Sequence, residues 1–279
     1  QKQYENDIIK NNDEEKTKQL KKLVTPFILR RNKKEVLTEL PDKIEQNIIL
    51  PFNDEEEKLY VANLAEVNKE LQELYDLEGS DKMQILKLLT RLRQLCLEPR
   101  LVYDNIDQPS SKLKACMELI KTMQENKQKV LLFSSFTSVL DLIAEECQKA
   151  GITYYMLTGS TNKEDRRELV SRFQKDDTTV FLISLKAGGT GLNLTSAEAV
   201  IHFDPWWNVS AQNQATDRAY RIGQKNNVQV FNLVMKDSVE EKIIELQKRK
   251  KELADMFVEN NSGGLSQMSK EDILSLFTM

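Results

Sequence analysis

The sequence predicts an α/β fold: a parallel sheet with helices on both faces, three layers in all, with a helical hairpin before it and a long helix after it. Three observations carry this. From Lys112 onward, helix-prone segments alternate with short apolar runs, the pattern of repeated strand–helix units. Those runs, at 129–134, 153–157, 179–184, 199–203 and 228–234, are rich in Val, Ile, Leu and Phe, which suits strands buried on both faces. Each is separated from the next by enough chain to cross the sheet, and right-handed crossovers make neighbouring strands parallel.

The elements follow in order. Residues 1–50 are polar and helix-prone up to Leu20, then carry Pro26, Pro41 and a basic cluster of Arg30, Arg31, Lys33 and Lys34. That cluster is either a solvated charged segment or a brace with a basic face. Residues 44–50 alternate loosely and fit a strand. A helix follows over 53–78: Asn53 or Asp54 can cap it, Glu55, Glu56 and Glu57 suit its dipole, and Leu64, Val67, Leu71 and Leu74 lie on one stripe. Gly79 and Ser80 stop it. A second helix over 81–97 ends before Pro99, giving a hairpin that needs a surface to pack on. The turn Gln108-Pro-Ser-Ser111 is the best internal boundary.

Beyond it, helices are expected over 112–124, over 138–149 with Gly151 ending it, and up to Lys175 from a Thr161-x-x-Glu164 capping box. A helix over 210–221 and a long one over 239–259, opened by Ser238-x-x-Glu241, complete the body. Asn260 to Gly264 reads as a linker, and a short last helix with Ile273, Leu274, Leu276 and Phe277 apolar is expected to dock back. The chain thus divides into 1–50, 51–110, 111–260 and 261–279.

Composition narrows the function. The chain has 279 residues, 40% hydrophobic and 30% charged, with net charge −4. The charge excess points to long solvated helices, and the acidic balance confines any nucleic-acid contact to a local patch. Cys96, Cys116 and Cys147 lack ligand spacing and His202 is the sole histidine, which argues against a Cys/His metal centre and fits a reducing compartment. No apolar stretch reaches the roughly 18 residues of a membrane span. The N-terminus has no signal-peptide pattern, so residence inside the cell is expected. The chain opens on Gln rather than Met, and a longer parent protein is expected.

Chemistry concentrates in residues 180–224. A strand runs into the glycine-rich turn Lys186-Ala-Gly-Gly-Thr-Gly191, and a second strand runs into Asp204-Pro-Trp-Trp-Asn208. A helix with Arg218 and Arg221 on one face closes the stretch. Ser134-Ser135 and Thr158-Gly159 also fall at the carboxyl ends of predicted strands, where open parallel sheets bind ligands. The glycines either cradle a phosphate or form a tight turn. The arginines either fork onto phosphate oxygens or pair with Asp217. One tryptophan of Trp206 and Trp207 suits the core, and the other the core or a stacked base. His202 suits a satisfied core position.

What is missing matters as much. Nothing matches the phosphate loop G-x-x-x-x-G-K-[ST], and no acidic pair follows a strand to hold a metal. Asp204 stands alone before Pro205 and two tryptophans. The stretch is half of a phosphate-handling site, and the chain by itself is not expected to hydrolyse ATP. An arginine supplied across a domain boundary remains useful, because it can be worth roughly 10³–10⁵-fold in phosphoryl-transfer rate.

These residues resemble the C-terminal helicase lobe of SWI/SNF-type chromatin-remodelling ATPases, within helicase superfamily two. The segment Pro26 to Pro41 is similar to the linker between the lobes, and Leu89-Thr-Arg-Leu-Arg-Gln-Leu-Cys96 to the helix before the second lobe. Val130 to Thr137 resembles helicase motif four, Ser184 to Leu194 motif five, and Gln214-Ala-Thr-Asp-Arg-Ala-Tyr-Arg-Ile-Gly-Gln224 motif six. The resemblance implies a RecA-like fold, and a substrate, ATP with Mg²⁺, held mainly by an N-terminal lobe of the same polypeptide. Arg218 and Arg221 would be arginine fingers, with Gln214 and Asp217 orienting them and Gly189 and Gly191 beside the nucleotide. Lys186, Gly188, Gly189 and Thr190 would lie near the tracked DNA strand. Ser134, Ser135 and Gly159 would hold backbone phosphates, and Trp206 and Trp207 would touch DNA. The basic cluster would brace the lobes, and no metal ligand is implied in this lobe. The implied function is one lobe of a double-stranded-DNA translocase: monomeric, away from membranes, in the cytoplasm and nucleoid of a bacterium or in a nucleus. The alternatives are a non-enzymatic DNA- or protein-binding module and an RNA helicase lobe.

Overall fold

The apolar runs pair side by side. In the computed structural model, which describes residues 41–76, 82–188 and 191–256, the strands are β1 (Lys43–Leu50), β2 (Val130–Ser134), β3 (Tyr154–Leu157), β4 (Val180–Ser184), β5 (Ala199–His202) and β6 (Val228–Met235). They form a six-stranded sheet in the order β1-β6-β5-β2-β4-β3. Every neighbouring pair is parallel. The loosely alternating segment is the added strand. As β1 it sits at an edge, which accounts for its polar residues and for exposed Ile44 and Ile49. The inner strands β2, β4 and β5 are buried at every position.

Strand alternation sends side chains into two cores. Leu132, Leu182 and Ile201 face one, packed by α3 (Ser111–Glu125) and α4 (Thr137–Lys149) through Leu113, Ile120, Leu140 and Ile143. Leu131, Phe133, Phe181, Ile183 and Val200 face the other, packed by Phe173 of α5 (Lys163–Phe173) and Ala215 of α7 (Val209–Thr216). A third core joins the hairpin of α1 (Asp54–Asp76) and α2 (Lys82–Leu97) to α8 (Val239–Met256) and to Trp207. Val67, Leu89 and Leu92 meet Val239 and Ile243 there, so the hairpin packs on the last helix.

The helix ends differ from expectation where side chains compete. Asn53 caps α1, its Oδ1 accepting from Glu55 N and Glu56 N. Thr161 does not cap α5; Asn162 does, at 3.0 and 2.9 Å to Glu164 N and Asp165 N, while Thr161 Oγ1 accepts from Thr158 N. Ser238 Oγ accepts from Glu240 N, but Glu241 reaches past it to Asp237 N. The glycine turn opens with a single helical turn, α6 (Leu185–Gly188). The helix expected over 210–221 stops at Thr216. Arg218 and Arg221 therefore stand on the turns beyond it and do not share a regular helix face. The cluster of Arg30, Arg31, Lys33 and Lys34, the stop at Gly79 and Ser80, Gly189, Thr190, the linker from Asn260 and the last helix lie outside the described residues.

Candidate functional site

Because all six strands run the same way, their carboxyl ends share one rim. Four segments leave that rim: Ser134 to Phe136 after β2, Thr158 to Ser160 after β3, Leu185 to Gly188 after β4, and Phe203 to Trp207 after β5. Gly159 is exposed there, and Lys186 is exposed on α6.

Asp204 organises the first and last of these segments. It is buried, and it accepts from Ser134 Oγ at 2.7 Å, from Ser135 N at 2.9 Å and from Ser135 Oγ. Arg93 Nη2 closes the cluster, 2.7 Å from Asp204 Oδ2 and 2.9 Å from Ser135 Oγ. The pair is nearly sealed, with side chains 5% and 1% exposed. Burial pulls the Arg93 guanidinium below its ordinary range, and the Asp204 charge opposes that pull. Ser134 and Ser135 thus spend their hydroxyls on a carboxylate. Asp204 is equally committed, and among the described residues no three His, Cys, Asp or Glu side chains gather to hold a metal.

Arg93 was not singled out by sequence reasoning. It carried one signal: it lies four residues after Leu89 and three before Cys96, on the apolar face of α2. A cation on that stripe calls for a buried partner.

The tryptophans divide. Trp207 is buried among the hairpin residues, and its Nε1 has no hydrogen bond among the described residues. Trp206 is half-buried. Its backbone is held from two helices: Trp206 N donates to Gln212 Oε1 at 3.3 Å, and its carbonyl accepts from Gln247 Nε2. Gln212 also binds Asn232 on β6 at 2.9 Å, so the loop is tied to α7, α8 and the sheet together.

The glycine turn and the arginines join through backbone. Leu194 N donates to Arg218 O at 3.0 Å, so the segment leaving Gly191 is bonded to the first arginine's main chain. Gly191 has φ +27° and Gly223 φ +102°, conformations that disfavour side-chain-bearing residues. Gly188 serves packing: a Cβ there would stand 2.8 Å from the Phe133 ring. After Thr216 the chain continues through tight turns, with Arg218 N on Ala215 O and Arg221 N on Ala219 O. Arg221 is exposed and Arg218 half-buried. Burial first, then the like charge of Arg221, lowers the pKa of Arg218, while Asp217 opposes both. Gln214 is exposed at the end of α7, and Asp217 is its C-cap. Within the described site, then, the structure brings Arg218, Arg221, Gln214 and Asp217 to one segment. Ser134, Ser135, Trp206 and Trp207 gather around Asp204 and Arg93.

Comparison with known proteins agrees with this architecture. The helicase conserved C-terminal domain model matches residues 111–223, and the SNF2-related domain model matches residues 1–101. A putative ATP-dependent helicase/translocase of Bacillus subtilis, YwqA, is 35% identical over 287 residues, covering 100% of this chain and 31% of the relative. The C-terminal part of the Fun30 ATPase domain superposes with a TM-score of 0.70 at 25% identity, covering 86% of this chain and 96% of that one. The SWI2/SNF2 ATPase core of Sulfolobus solfataricus in complex with double-stranded DNA gives a TM-score of 0.68 at 32% identity, covering 96% of this chain and 57% of that one. The chain spans about a quarter to a third of the length of the curated relatives it matches.

Proposed function

We propose, for a chain that belongs to the SWI/SNF-type branch of helicase superfamily two and forms its RecA-like C-terminal helicase lobe, that it is the second motor lobe of an ATP-driven double-stranded-DNA translocase. A first lobe of the same polypeptide holds ATP and its Mg²⁺ by a phosphate loop and acidic box. Arg218 and Arg221 reach across to that nucleotide and stabilise the charge that spreads over the transferring phosphoryl group. Gln214 and Asp217 orient the arginine segment, and Gly189 and Gly191 lie against the nucleotide. Lys186 and Thr190 are assigned to the tracked strand, with Gly188 packing the turn against Phe133. Gly159 and neighbouring amides hold its phosphates, contacts that carry no sequence information and suit movement along any duplex. Ser134 and Ser135 support that grip through Asp204, since both hydroxyls are already engaged there. Trp206 belongs to the DNA side, and Trp207, buried among the hairpin residues, supports it from the core.

One observation supports this reading: Leu194 N, on the segment leaving the glycine turn, donates to Arg218 O. Closing the cleft on ATP draws Arg218 toward the nucleotide, and the glycine turn follows through that bond. Hydrolysis releases the arginines and lets the DNA side return. The chain alone lacks a phosphate cradle and turns over no ATP.

The test joins the chain to its first lobe. Arg218→Ala and Arg221→Ala should each lower DNA-stimulated ATP turnover by roughly 10³-fold or more with little change in duplex affinity. Turnover near the wild-type rate in both would refute the assignment. Stimulation by duplex DNA over RNA separates this motor from an RNA-directed one.

A further inference from the structure

Arg93 lies outside the segments assigned to ATP or to DNA, on a hairpin helix whose role in the motor is otherwise packing. Its surroundings are unusual. Its guanidinium carbon stands 4.8 Å from the Phe136 ring centroid, 5.2 Å from Trp206 and 4.7 Å from Trp207. In its plane it donates to Asp204 and Ser135. It therefore touches two rim segments at once, the one after β2 and the one after β5, while its backbone belongs to neither.

We propose that Arg93 is the positioning residue of the DNA-side rim, setting the orientation of Trp206 and Trp207 and locking the hairpin to the rim so that the two move as one body. This rests on the reading of that rim as the nucleic-acid face. Three features carry it. The guanidinium is planar, so it can stack on rings and fork to oxygens together, which an ammonium cannot do. The contacts do not end in the core: Ser135, Phe136 and Trp206 are all half-buried and open toward the rim. And the two indoles lean on one another, with centroids 6.0 Å apart at 52°, so fixing one limits the other. Among the described residues Trp207 Nε1 has no hydrogen bond, so packing in the hairpin core, the neighbouring indole and the guanidinium orient it.

The chain contains two tryptophans, both at this cation, so emission excited at the red edge, where tyrosine does not absorb, reports this site alone. The experiment compares wild type, Arg93→Lys, and Arg93→Met with Asp204→Asn, the last removing both buried charges. Emission maximum, acrylamide quenching and affinity for a fluorescent duplex are measured on the full chain, with circular dichroism as the check on folding. Both variants should keep the fold, shift emission to the red, quench more readily and bind duplex roughly tenfold more weakly, within what one base-stacking contact is worth. Lysine should fail to rescue. If Arg93→Lys keeps the wild-type emission and quenching, charge balance alone is at work and the proposal is overturned; the same result in a folded double variant overturns it equally. A spectral change with unaltered duplex affinity supports the positioning role and sinks the assignment of the tryptophans to DNA. Should the double variant not fold, Arg93→Lys decides by itself.

Discussion

His202 Nε2 and Thr216 Oγ1 lie 2.9 Å apart, tying the end of β5 to the last turn of α7, two residues before Arg218. Thr216 Oγ1 also donates to Gln212 O, which assigns His202 Nε2 as the donor in the shared bond. The ring stacks on Phe133 at 5.7 Å, and burial pushes its pKa down to about 4. A lowered pKa means that the unfolded chain binds the proton more tightly. Stability is therefore complete above about pH 6.5 and falls as pH drops toward about 4, by about 3 kcal/mol at most. No other histidine contributes. Urea midpoints against pH should show this slope in wild type, and it should be much reduced in His202→Gln; an unchanged slope would locate the acid sensitivity elsewhere.

Lys112 and Glu240 present a second buried pair, 0% and 1% exposed, with Nζ 2.6 and 2.7 Å from the two carboxylate oxygens. It pins the start of α3 to the start of α8, and Glu240 Oε2 also accepts from Met235 N at 2.8 Å. Lys112→Met alone strands a carboxylate in the core and should cost about 3–5 kcal/mol. Burial already raises the Glu240 pKa against the pull of Lys112. Without Lys112 it rises further, so the variant's stability should be lost as pH climbs through the carboxylate range. Adding Glu240→Gln removes the charge and keeps the acceptor for Met235 N. The double variant should recover most of the loss and its pH dependence, as chemical denaturation will show.

The strands were legible because burial on both faces forces runs of Val, Ile, Leu and Phe, and the hairpin because its stripe recurs at helical spacing. The Arg93–Asp204 pair was not, since its partners are 111 residues apart and no local pattern joins them. The cap of α5 was misplaced because Thr161 and Asn162 are adjacent and both can cap; which one wins depends on Thr158 N taking Thr161. The early end of α7 has no glycine or proline to announce it. It follows from bonds that compete for the carbonyls beyond the helix: Leu194, distant in sequence, takes that of Arg218, and the Gln224 side chain takes that of Ala219. Arg218 and Arg221 were found by residue type, and their geometry came from those tertiary bonds.

Gly188 ends α6 in the glycine turn, and its lack of a side chain makes room for Phe133. A methyl group would meet the ring's Cε1 at 2.8 Å, inside contact distance. Phe133 is buried against His202, so it cannot yield without disturbing that stack. Gly188→Ala should therefore destabilise by about 1–3 kcal/mol, as overpacking does. In a Phe133→Leu background the same change should cost less, because the clashing atom is gone. Thermal unfolding of the four proteins gives the coupling directly. Equal costs in both backgrounds would mean that the glycine is needed for the backbone and not for the ring.

Gln224 holds the chain just beyond Arg221 with four bonds from one buried side chain. Its Nε2 donates to Ala197 O at 2.8 Å and Ala219 O at 3.2 Å, and its Oε1 accepts from Lys225 N and Asn226 N at 2.9 and 3.0 Å. Together with Gly223 at positive φ, this side chain fixes the turn that follows Arg221. Gln224→Ala frees four backbone groups, each unmet one costing about 1–3 kcal/mol where it stays buried. The segment should open locally at less cost than global unfolding, exposing amides before the sheet unfolds. Gln224→Glu separates the two halves of the network: it keeps both acceptor bonds and loses both donors. Hydrogen exchange at Lys225 and Asn226 should therefore be fast in the alanine variant and remain protected in the glutamate variant. Joined to a first lobe, the alanine variant should lose ATP turnover with the arginines intact, because a mobile Arg221 reaches the nucleotide in only a fraction of its conformations. Full turnover alongside fast exchange would show that the arginine needs no such anchor.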